Sequence, residues 1–393
     1  MSGRLLMLLH DGCPKEVRVE AQIRAAVEAG FEVDVLALRG PGEAPEERVE
    51  GAYVYRLPVS HVRGRGALGV VREYVAFTVL AAIKAAKLAR RRRYGVVQVH
   101  NPPDFLMLAA VVPRLVGARI VLDVHDRAPD MFHMRFAGRP GAKLVERLLG
   151  RVERVALRAA DAVLTVHEPY RQELIRQGAP PGRIEVVMNT LDERVLPKDP
   201  PQREPGTFLV VYHGTVTPHY GVQLLPDAVA EAAHDVPGIR AEVYGDGDAL
   251  SQVIARANEL DLGERFWVSP VRLPQREVLT RVQRGSVGVV PNLPIPLNRF
   301  ALSTKLFEYV ALGVPVVCAD LPTIRSYFSD EEVTFFRAGD HRALARALVA
   351  VAQDPDRALA RVNAARRRYQ AYRWSEQAGR YIGVMRKMAA RAS

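Results

Sequence analysis

The chain has 393 residues, a net charge of +11 at pH 7 and 48% hydrophobic residues. This length predicts two domains, each large enough to bury its own core. Two cysteines, Cys13 and Cys318, are too few for a disulfide framework, and apolar runs such as residues 75–83 are too short to span a bilayer, so we expect a cytoplasmic protein.

The first part of the chain alternates apolar strands with helical patterns. Residues 4–10 predict a strand, residues 16–29 a helix that ends at Gly30, and residues 31–38 a second strand. This βαβ opening indicates a parallel sheet. Further strands are predicted at 96–100, 120–124, 162–166 and 184–188, with a helix over 143–159.

A basic region lies within this first part. Residues 51–150 contain 17 lysines and arginines against 6 aspartates and glutamates, an excess equal to the net charge of the whole chain. The apolar run 75–83 is followed by Lys84, Lys87 and four arginines at 90–93. An apolar helix with a basic end fits docking on an anionic membrane surface, and a buried helix with solvated arginines is the alternative. We expect no nucleic-acid partner, because aromatic residues are not interleaved with the basic ones.

A proline-rich linker over 197–206 separates this part from a second α/β series. Strands are predicted there at 208–213, 240–244, 266–268, 287–290 and 314–318. Helices are predicted at 222–233, 250–260 and 342–352, and residues 357–388 are mostly helical.

Polar residues follow many of these strands. In open parallel sheets, ligands bind beyond the carboxyl ends of the strands. The candidate positions are His10-Asp11, His100-Asn101, His125-Asp126, Gly214-Thr215, Gly245-Asp246-Gly247 and Pro291-Asn292. A dinucleotide-binding loop is not indicated, because Leu250 stands where the third glycine should be.

One capped helix carries the strongest functional signal. Ser303 or Thr304 can cap its start, Lys305 and Glu308 share one face, and Gly313 can end it. A helix start attracts phosphate, and Lys305 adds a positive charge there. Glu308 can accept hydrogen bonds from sugar hydroxyls, so one helix can hold a diphosphate and a ribose. The alternative is an ordinary capped helix with a solvated ion pair.

This helix, with the stretches 212–221 and 240–247, resembles glycosyltransferase family 4, whose GT-B enzymes move a sugar from a nucleotide sugar with retention. Residues 97–104, 121–126 and 374–375 are also similar to that family. The resemblance implies an α/β fold of two Rossmann-like, doubly wound domains facing across a cleft. An acceptor domain would cover 1–197 and a donor domain 206–365, and a C-terminal helix over 366–393 would pack back on the first domain.

The resemblance also implies roles for single residues. The implied donor-binding residues are Gly214, Thr215, Tyr220, Gly245, Ser303, Thr304, Lys305 and Glu308. The implied catalytic residues are His125, Asp126 and Glu308, and those lining the acceptor site or cleft are Asp11, Gly12, His100 and Asn101. The family pairs Glu308 with a second glutamate, but that position is Phe300 here, so the donor sugar would be contacted by backbone groups, Asn298 or Arg299.

We therefore predict a retaining hexosyltransferase that moves a sugar from a nucleoside-diphosphate sugar to a lipid-linked or surface-polysaccharide acceptor. We expect it to be peripheral on the inner face of the membrane and to need no metal or other cofactor. A GT-B sugar-nucleotide 2-epimerase would act on the donor alone and is one alternative. A degenerate, non-catalytic nucleotide-sugar-binding subunit is the other, indicated by Phe300.

Overall fold

The computed structural model describes residues 3–13, 16–59, 66–136, 138–139 and 141–392. The chain divides into two compact α/β units, which we call the first and the second unit. The first consists of Met1–Asn189 and Ser375–Ser393, and the second of Thr190–Trp374. Residues 190–205 and 366–374, which the sequence analysis placed outside the donor domain, belong to the second unit.

The first unit is built on one twisted sheet. Its strands within the described residues are β1 (Arg4–Gly12), β2 (Glu32–Leu38), β3 (Glu46–Val49), β4 (Ala52–Leu57), β5 (Val96–His100), β6 (Arg119–Val124), β7 (Ala162–Thr165) and β8 (Ile184–Val186). They lie in the order β3-β4-β2-β1-β5-β6-β7-β8. Neighbouring strands are parallel except for the antiparallel pair β3–β4 at the edge. The sheet is therefore of the predicted parallel kind, with an unpredicted hairpin added.

Helices connect these strands. They are α1 (Val17–Glu28), α2 (Ala67–Arg92), α3 (Val111–Leu115), α4 (Ala128–Phe136), α5 (Ala142–Ala159) and α6 (Glu168–Arg176). The central strand β1 is buried on both faces, since Leu5, Leu6, Met7 and Leu8 are fully inaccessible. Burial on both faces is typical of a parallel sheet that helices cover on both sides.

The second unit repeats this plan. Its strands are β9 (Phe208–His213), β10 (Ile239–Tyr244), β11 (Phe266–Val268), β12 (Val287–Val290), β13 (Val316–Ala319) and β14 (Thr334–Phe336). They form a parallel sheet in the order β11-β10-β9-β12-β13-β14. Its helices are α7 (Leu225–Ala232), α8 (Leu250–Glu259), α9 (Gln275–Val282), α10 (Thr304–Leu312), α11 (Pro322–Arg325), α12 (His341–Gln353) and α13 (Pro355–Tyr369). Two parallel-sheet units confirm the predicted α/β class.

The last helix, α14 (Trp374–Ala392), belongs to the first unit from Ser375 onward. The Tyr381 hydroxyl donates to Oε1 of Gln98 in β5 over 2.8 Å. Oε1 of the fully buried Gln377 accepts the amide of Met188 over 3.0 Å. These buried polar contacts fix the helix against the sheet. Among the described helices, none is both long and apolar enough to cross a membrane.

Candidate functional site

Three backbone segments of the second unit meet at the carboxyl ends of β9 and β10. Gly214 follows β9 with a φ of +97°, and a Cβ there would lie 2.7 Å from Cε of Lys305 in α10. A Cβ on Gly245, which follows β10, would lie 1.9 Å from the carbonyl oxygen of Gly214. Glycine is therefore required at both positions, because any side chain would push the loops and the lysine apart. The structure thus brings together the predicted Gly214, Gly245 and Lys305.

Lys305 lies in an unusual environment for a lysine. It is buried, and it forms no ion pair with any residue that the structure describes. Its Nζ lies 4.5 Å from the ring centre of Tyr220 and 5.3 Å from that of Tyr212, so two aromatic faces attract the ammonium. Burial lowers the pKa of Lys305 to about 8, and the charge of Glu308 offsets this only in part. A buried cation that makes no direct ion pair with a described residue is suited to receive an anionic ligand.

Glu308 pairs with a residue that the sequence analysis did not single out. One of its oxygens contacts Nε2 of His213, the last residue of β9, and Nδ1 of His213 lies 3.2 Å from the Tyr309 hydroxyl. Burial opposes ionisation of Glu308, but His213 and Lys305 outweigh it and lower its pKa. Glu308 is thus a buried carboxylate. The strand-end rule that selected Gly214 applies equally to His213, so the signal was present in the sequence.

The start of α10 differs in detail from the prediction. Ser303 occupies the capping position, but its side chain makes no capping hydrogen bond, and the Thr304 side chain bonds to Glu308. The expectation that either hydroxyl caps this helix is therefore wrong. Gly313 ends the helix as predicted, with a φ of +73°.

Two more predicted donor contacts lie near this helix. Both amide hydrogens of Asn298 are used, because Nδ2 donates to the carbonyls of His219 and Leu293 over 2.7 and 2.8 Å. The guanidinium of Arg299 lies over the ring of Phe300 at 4.9 Å. Asn298 is thus bound to the backbone and has no amide hydrogen left to donate to a sugar.

Thr215 also belongs to the loop after β9. Its carbonyl accepts the hydroxyl of Tyr212 over 2.6 Å, while the residue itself is exposed. This bond ties the loop to the tyrosine whose ring faces Lys305. The loop that carries Gly214 and Thr215 is therefore anchored next to the ammonium.

In the first unit, the carboxyl ends of β5 and β6 bring His100 and His125 together. Nδ1 of His100 lies 3.2 Å from Nε2 of His125, and Oδ2 of Asp123 lies 3.5 and 3.4 Å from these two nitrogens. Nδ1 of His125 lies 2.7 Å from the carboxylate of Glu16. Burial lowers the pKa of His100, whereas the carboxylates of Asp123 and Glu16 outweigh burial at His125 and raise its pKa to about 9.

Asp123 is the centre of this cluster and was not predicted. It is fully inaccessible and accepts hydrogen bonds from Arg18 over 2.8 Å, Gln22 over 2.7 Å and Gln98 over 3.2 Å. Burial opposes its ionisation, but Arg18 and His125 hold the pKa of Asp123 well below its usual value. An aspartate inside the apolar strand 120–124 was the available signal, because a buried carboxylate requires partners.

The other predicted residues of the first unit lie near or beside this cluster. Oδ1 of Asn101 accepts the amide of His125 over 2.8 Å, and its Nδ2 donates to the carbonyl of Asp126 over 2.9 Å. Burial raises the pKa of Asp126. Asp11 accepts the amide of its neighbour Gly12 over 2.6 Å, and no hydrogen bond or ion pair links either to the histidines among the described residues. The Asn101 side chain thus holds the backbone of the loop that carries His125 and Asp126.

His100, Asp123 and His125 are also close enough to surround one metal ion. However, Oδ2 of Asp123 already accepts hydrogen bonds from the side-chain amides of Gln22 and Gln98. The guanidinium of Arg18 adds a positive charge on the same carboxylate. A second cation there would compete with three donors, so we assign the cluster to hydrogen bonds.

Known families match both halves of the chain. Residues 16–190 match the model described as a glycosyl transferase 4-like domain, and residues 226–382 match the model described as glycosyl transferase-like.

Individual proteins point the same way. Alpha-maltose-1-phosphate synthase of Mycolicibacterium smegmatis is 28% identical over 61% of this chain and 66% of that protein. Phosphatidyl-myo-inositol mannosyltransferase of Propionibacterium freudenreichii is 23% identical over 71% of this chain and 67% of that protein. The chain thus matches about two thirds of the length of these relatives.

The crystal structure of Anabaena HepE in complex with UDP-glucose is similar to this fold. Its TM-score is 0.72 at 14% identity, covering 98% of this chain and all of that one. Two parallel-sheet units, the two family models and these relatives agree with the resemblance seen in the sequence. The chain is therefore an enzyme of the GT-B glycosyltransferases, of the family 4 type.

Proposed function

We propose that the enzyme moves a sugar with retention from a nucleoside-diphosphate sugar, bound by the second unit, to a lipid-linked or surface-polysaccharide acceptor at a membrane surface. The observation that carries the donor part is Lys305, a buried ammonium without an ion pair among the described residues, beside the start of α10. The structural neighbour HepE is described in complex with UDP-glucose.

The chemistry follows from the charge that develops on the leaving group. When the bond from the anomeric carbon to the diphosphate breaks, negative charge grows on the phosphate oxygens, and groups already in place stabilise it best. In our proposal the ammonium of Lys305 and the amides at the start of α10 meet the diphosphate. Glu308, which His213 holds in place, accepts hydrogen bonds from the ribose hydroxyls.

A panel of nucleotide sugars tests this assignment. A ligand that binds only the native state raises the apparent melting temperature, so UDP-, GDP-, ADP- and dTDP-sugars are compared by thermal shift. We expect one base to shift the transition clearly more than the others. NMR of the donor incubated alone then separates transfer from epimerisation, because an epimerase would change the donor without an acceptor. No shift with any nucleotide sugar would contradict the donor site.

The membrane part of the proposal rests on the exposed side of α2. Val75, Val79 and Ile83 follow one another along this side and are each about half exposed, although the opposite side of the helix packs on the unit. A helix that is apolar on its solvent side is the exception in a water-facing protein. The alternative of a buried helix with solvated arginines does not account for the exposure of these three apolar residues.

Basic residues continue this exposed side. Lys84 pairs with Glu46 over 2.9 Å, and Arg92 with Asp34 over 2.9 Å, so these two cations are engaged within the unit. The remaining basic residues of the segment are exposed and form no ion pair with a described residue: Lys87, Arg90, Arg91 and Arg93. They are suited to anionic headgroups beside the apolar stripe.

Helix α5 adds a second surface of the same kind. Leu144, Leu148 and Val155 are each more than half exposed. They are interleaved with exposed basic residues, namely Lys143, Arg147, Arg151, Arg154 and Arg158. The segment Asp104–Ala110 contacts both α2 and α5, which makes them near neighbours. The combination of apolar and basic residues supports an anionic lipid surface as the partner. The name of the mannosyltransferase relative also points to a membrane lipid.

Charging the apolar stripe tests this surface. The double variant Val75→Glu, Val79→Glu should bind vesicles of about 30% phosphatidylglycerol at least about tenfold more weakly, because it removes apolar area and adds negative charge. Co-sedimentation measures the effect. Val271→Glu changes an exposed valine of the second unit and serves as the control. Equal binding by the double variant and the wild type would remove α2 from the proposal.

A further inference from the structure

The side chain of Glu16 does not cap the helix at whose start it lies. Glu16 is the N-cap residue of α1, but its side chain makes no capping hydrogen bond. Instead, one oxygen lies 2.7 Å from Nδ1 of His125. The other oxygen accepts no hydrogen bond from any described residue, and the side chain keeps 28% of its surface exposed. Glu16 therefore presents an oxygen to solvent at the end of the sheet where ligands of parallel sheets bind.

His125, in contrast, has no ring nitrogen left for a ligand. Nδ1 faces Glu16, and Nε2 faces both Nδ1 of His100 and Oδ2 of Asp123. The nearby groups carry two negative charges on Glu16 and Asp123 and one positive charge on Arg18, while burial keeps His100 neutral. A charged imidazolium at position 125 balances this set. Burial raises the pKa of Asp126, a further acidic neighbour of His125.

We propose that Glu16 contacts the acceptor, by accepting a hydrogen bond from a hydroxyl of a neutral saccharide, and that His125 is the positioning residue that holds this carboxylate. The inference rests on the proposed transferase function. A carboxylate with one oxygen fixed and one exposed is suited to bind a hydroxyl donor and repels an anionic group. The imidazolium limits the rotation of Glu16, so little conformational entropy is lost when the hydroxyl binds.

The variant Glu16→Gln keeps the size of the side chain and removes its charge. We expect kcat/KM for a synthetic polyprenyl-diphosphate monosaccharide to fall about 30-fold, while the Kd of the nucleotide sugar and its slow hydrolysis by water stay within about twofold. The control is Glu20→Gln, one turn further along α1, where the carboxylate lies 3.8 Å from Arg24. Its acceptor kinetics should match those of the wild type.

Histidine NMR gives a readout that does not depend on turnover. In the wild type the ring of His125 should be an imidazolium at pH 7.5 and titrate near 9, and in Glu16→Gln it should titrate at a lower pH. A neutral His125 at pH 7.5, or unchanged acceptor kinetics in Glu16→Gln, would overturn the assignment of Glu16. Absence of transfer by the wild type itself would instead overturn the proposed function, and this inference with it.

Discussion

Replacing Lys305 with methionine is expected to weaken the binding of nucleoside diphosphate by about 30- to 100-fold. A hydrogen bond between a buried ammonium and a phosphate oxygen contributes roughly 2–3 kcal/mol, and the Lys305 side chain lies directly against Gly214. Methionine fills similar space between the rings of Tyr212 and Tyr220 without the charge. Isothermal titration calorimetry with UDP, GDP, ADP and dTDP measures the loss.

The same variant should melt at a higher temperature than the wild type. A buried ammonium that forms no ion pair with a described residue costs stability, and burial is the reason why the pKa of Lys305 falls to about 8. Weaker binding together with higher stability would separate a role in binding from a role in folding. Arg342→Met, an exposed position on α12, removes the same charge and should alter neither quantity strongly. Unchanged nucleotide affinity in Lys305→Met would rule out this lysine as the phosphate partner.

The pH dependence of nucleotide affinity gives a second readout of this prediction. Below pH 8 Lys305 is already protonated in the free enzyme, so affinity should be constant from pH 7 to about 8. Above pH 8 the diphosphate raises the pKa of the lysine again, binding takes up a proton, and Kd should rise by up to about tenfold per pH unit. Lys305→Met should lack this rise.

The sequence was sufficient to predict the two parallel sheets, but not the hairpin at the edge of the first sheet. The buried strand β1 contains the apolar run 5–9, and β5 is apolar except for Gln98 and His100. Such runs are the pattern of a strand covered on both faces. Strand β3 reads Glu-Glu-Arg-Val and is mostly exposed, so no hydrophobic pattern marks it. Its partner β4 reads Ala-Tyr-Val-Tyr-Arg-Leu, a run rich in residues that favour strands, so this strand was detectable. Glu50 and Gly51, which both have positive φ, form the tight turn between the two strands.

The candidate site likewise has a part that could be predicted from the sequence and a part that could not. Lys305 and Glu308 were predictable because helical spacing fixes their relation within one turn. The pairing of Glu308 with His213 joins positions 95 residues apart, and that of Arg18 with Asp123 joins positions 105 residues apart. Such contacts depend on which strands become neighbours, and local spacing carries no information on that. Local spacing does show that Arg18 and Gln22 are polar residues on the buried face of α1. Buried polar side chains need hydrogen-bond partners, so the sequence indicates that such partners exist without identifying them.

Asp123→Asn is expected to destabilise the first unit by about 3–5 kcal/mol at pH 7. The substitution leaves the guanidinium of Arg18 and the imidazolium of His125 buried without their shared counter-ion, and breaking a buried ion pair from one side has this cost. Both tryptophans of the chain lie in the second unit's sequence range, and Trp374 is its last residue, so tryptophan fluorescence does not isolate the first unit. Hydrogen exchange of peptides from β5 and β6 measures the loss directly, as a lower free energy of opening.

The pH profile of this opening energy identifies the cause. The pKa of His125 is raised in the folded state to about 9 from an unfolded value near 6.5, so its contribution is fully present below about pH 6.5 and is lost as the pH rises through 9. Wild-type protection of β5 and β6 should therefore decline between these values, and Asp123→Asn should show a smaller decline, because the main carboxylate that raises this pKa is gone. Glu32→Gln is the control, since this exposed carboxylate pairs with Arg4 at the surface of the first unit and should cost under about 1 kcal/mol. Equal protection in Asp123→Asn and Glu32→Gln would show that the buried cluster does not hold this end of the sheet together.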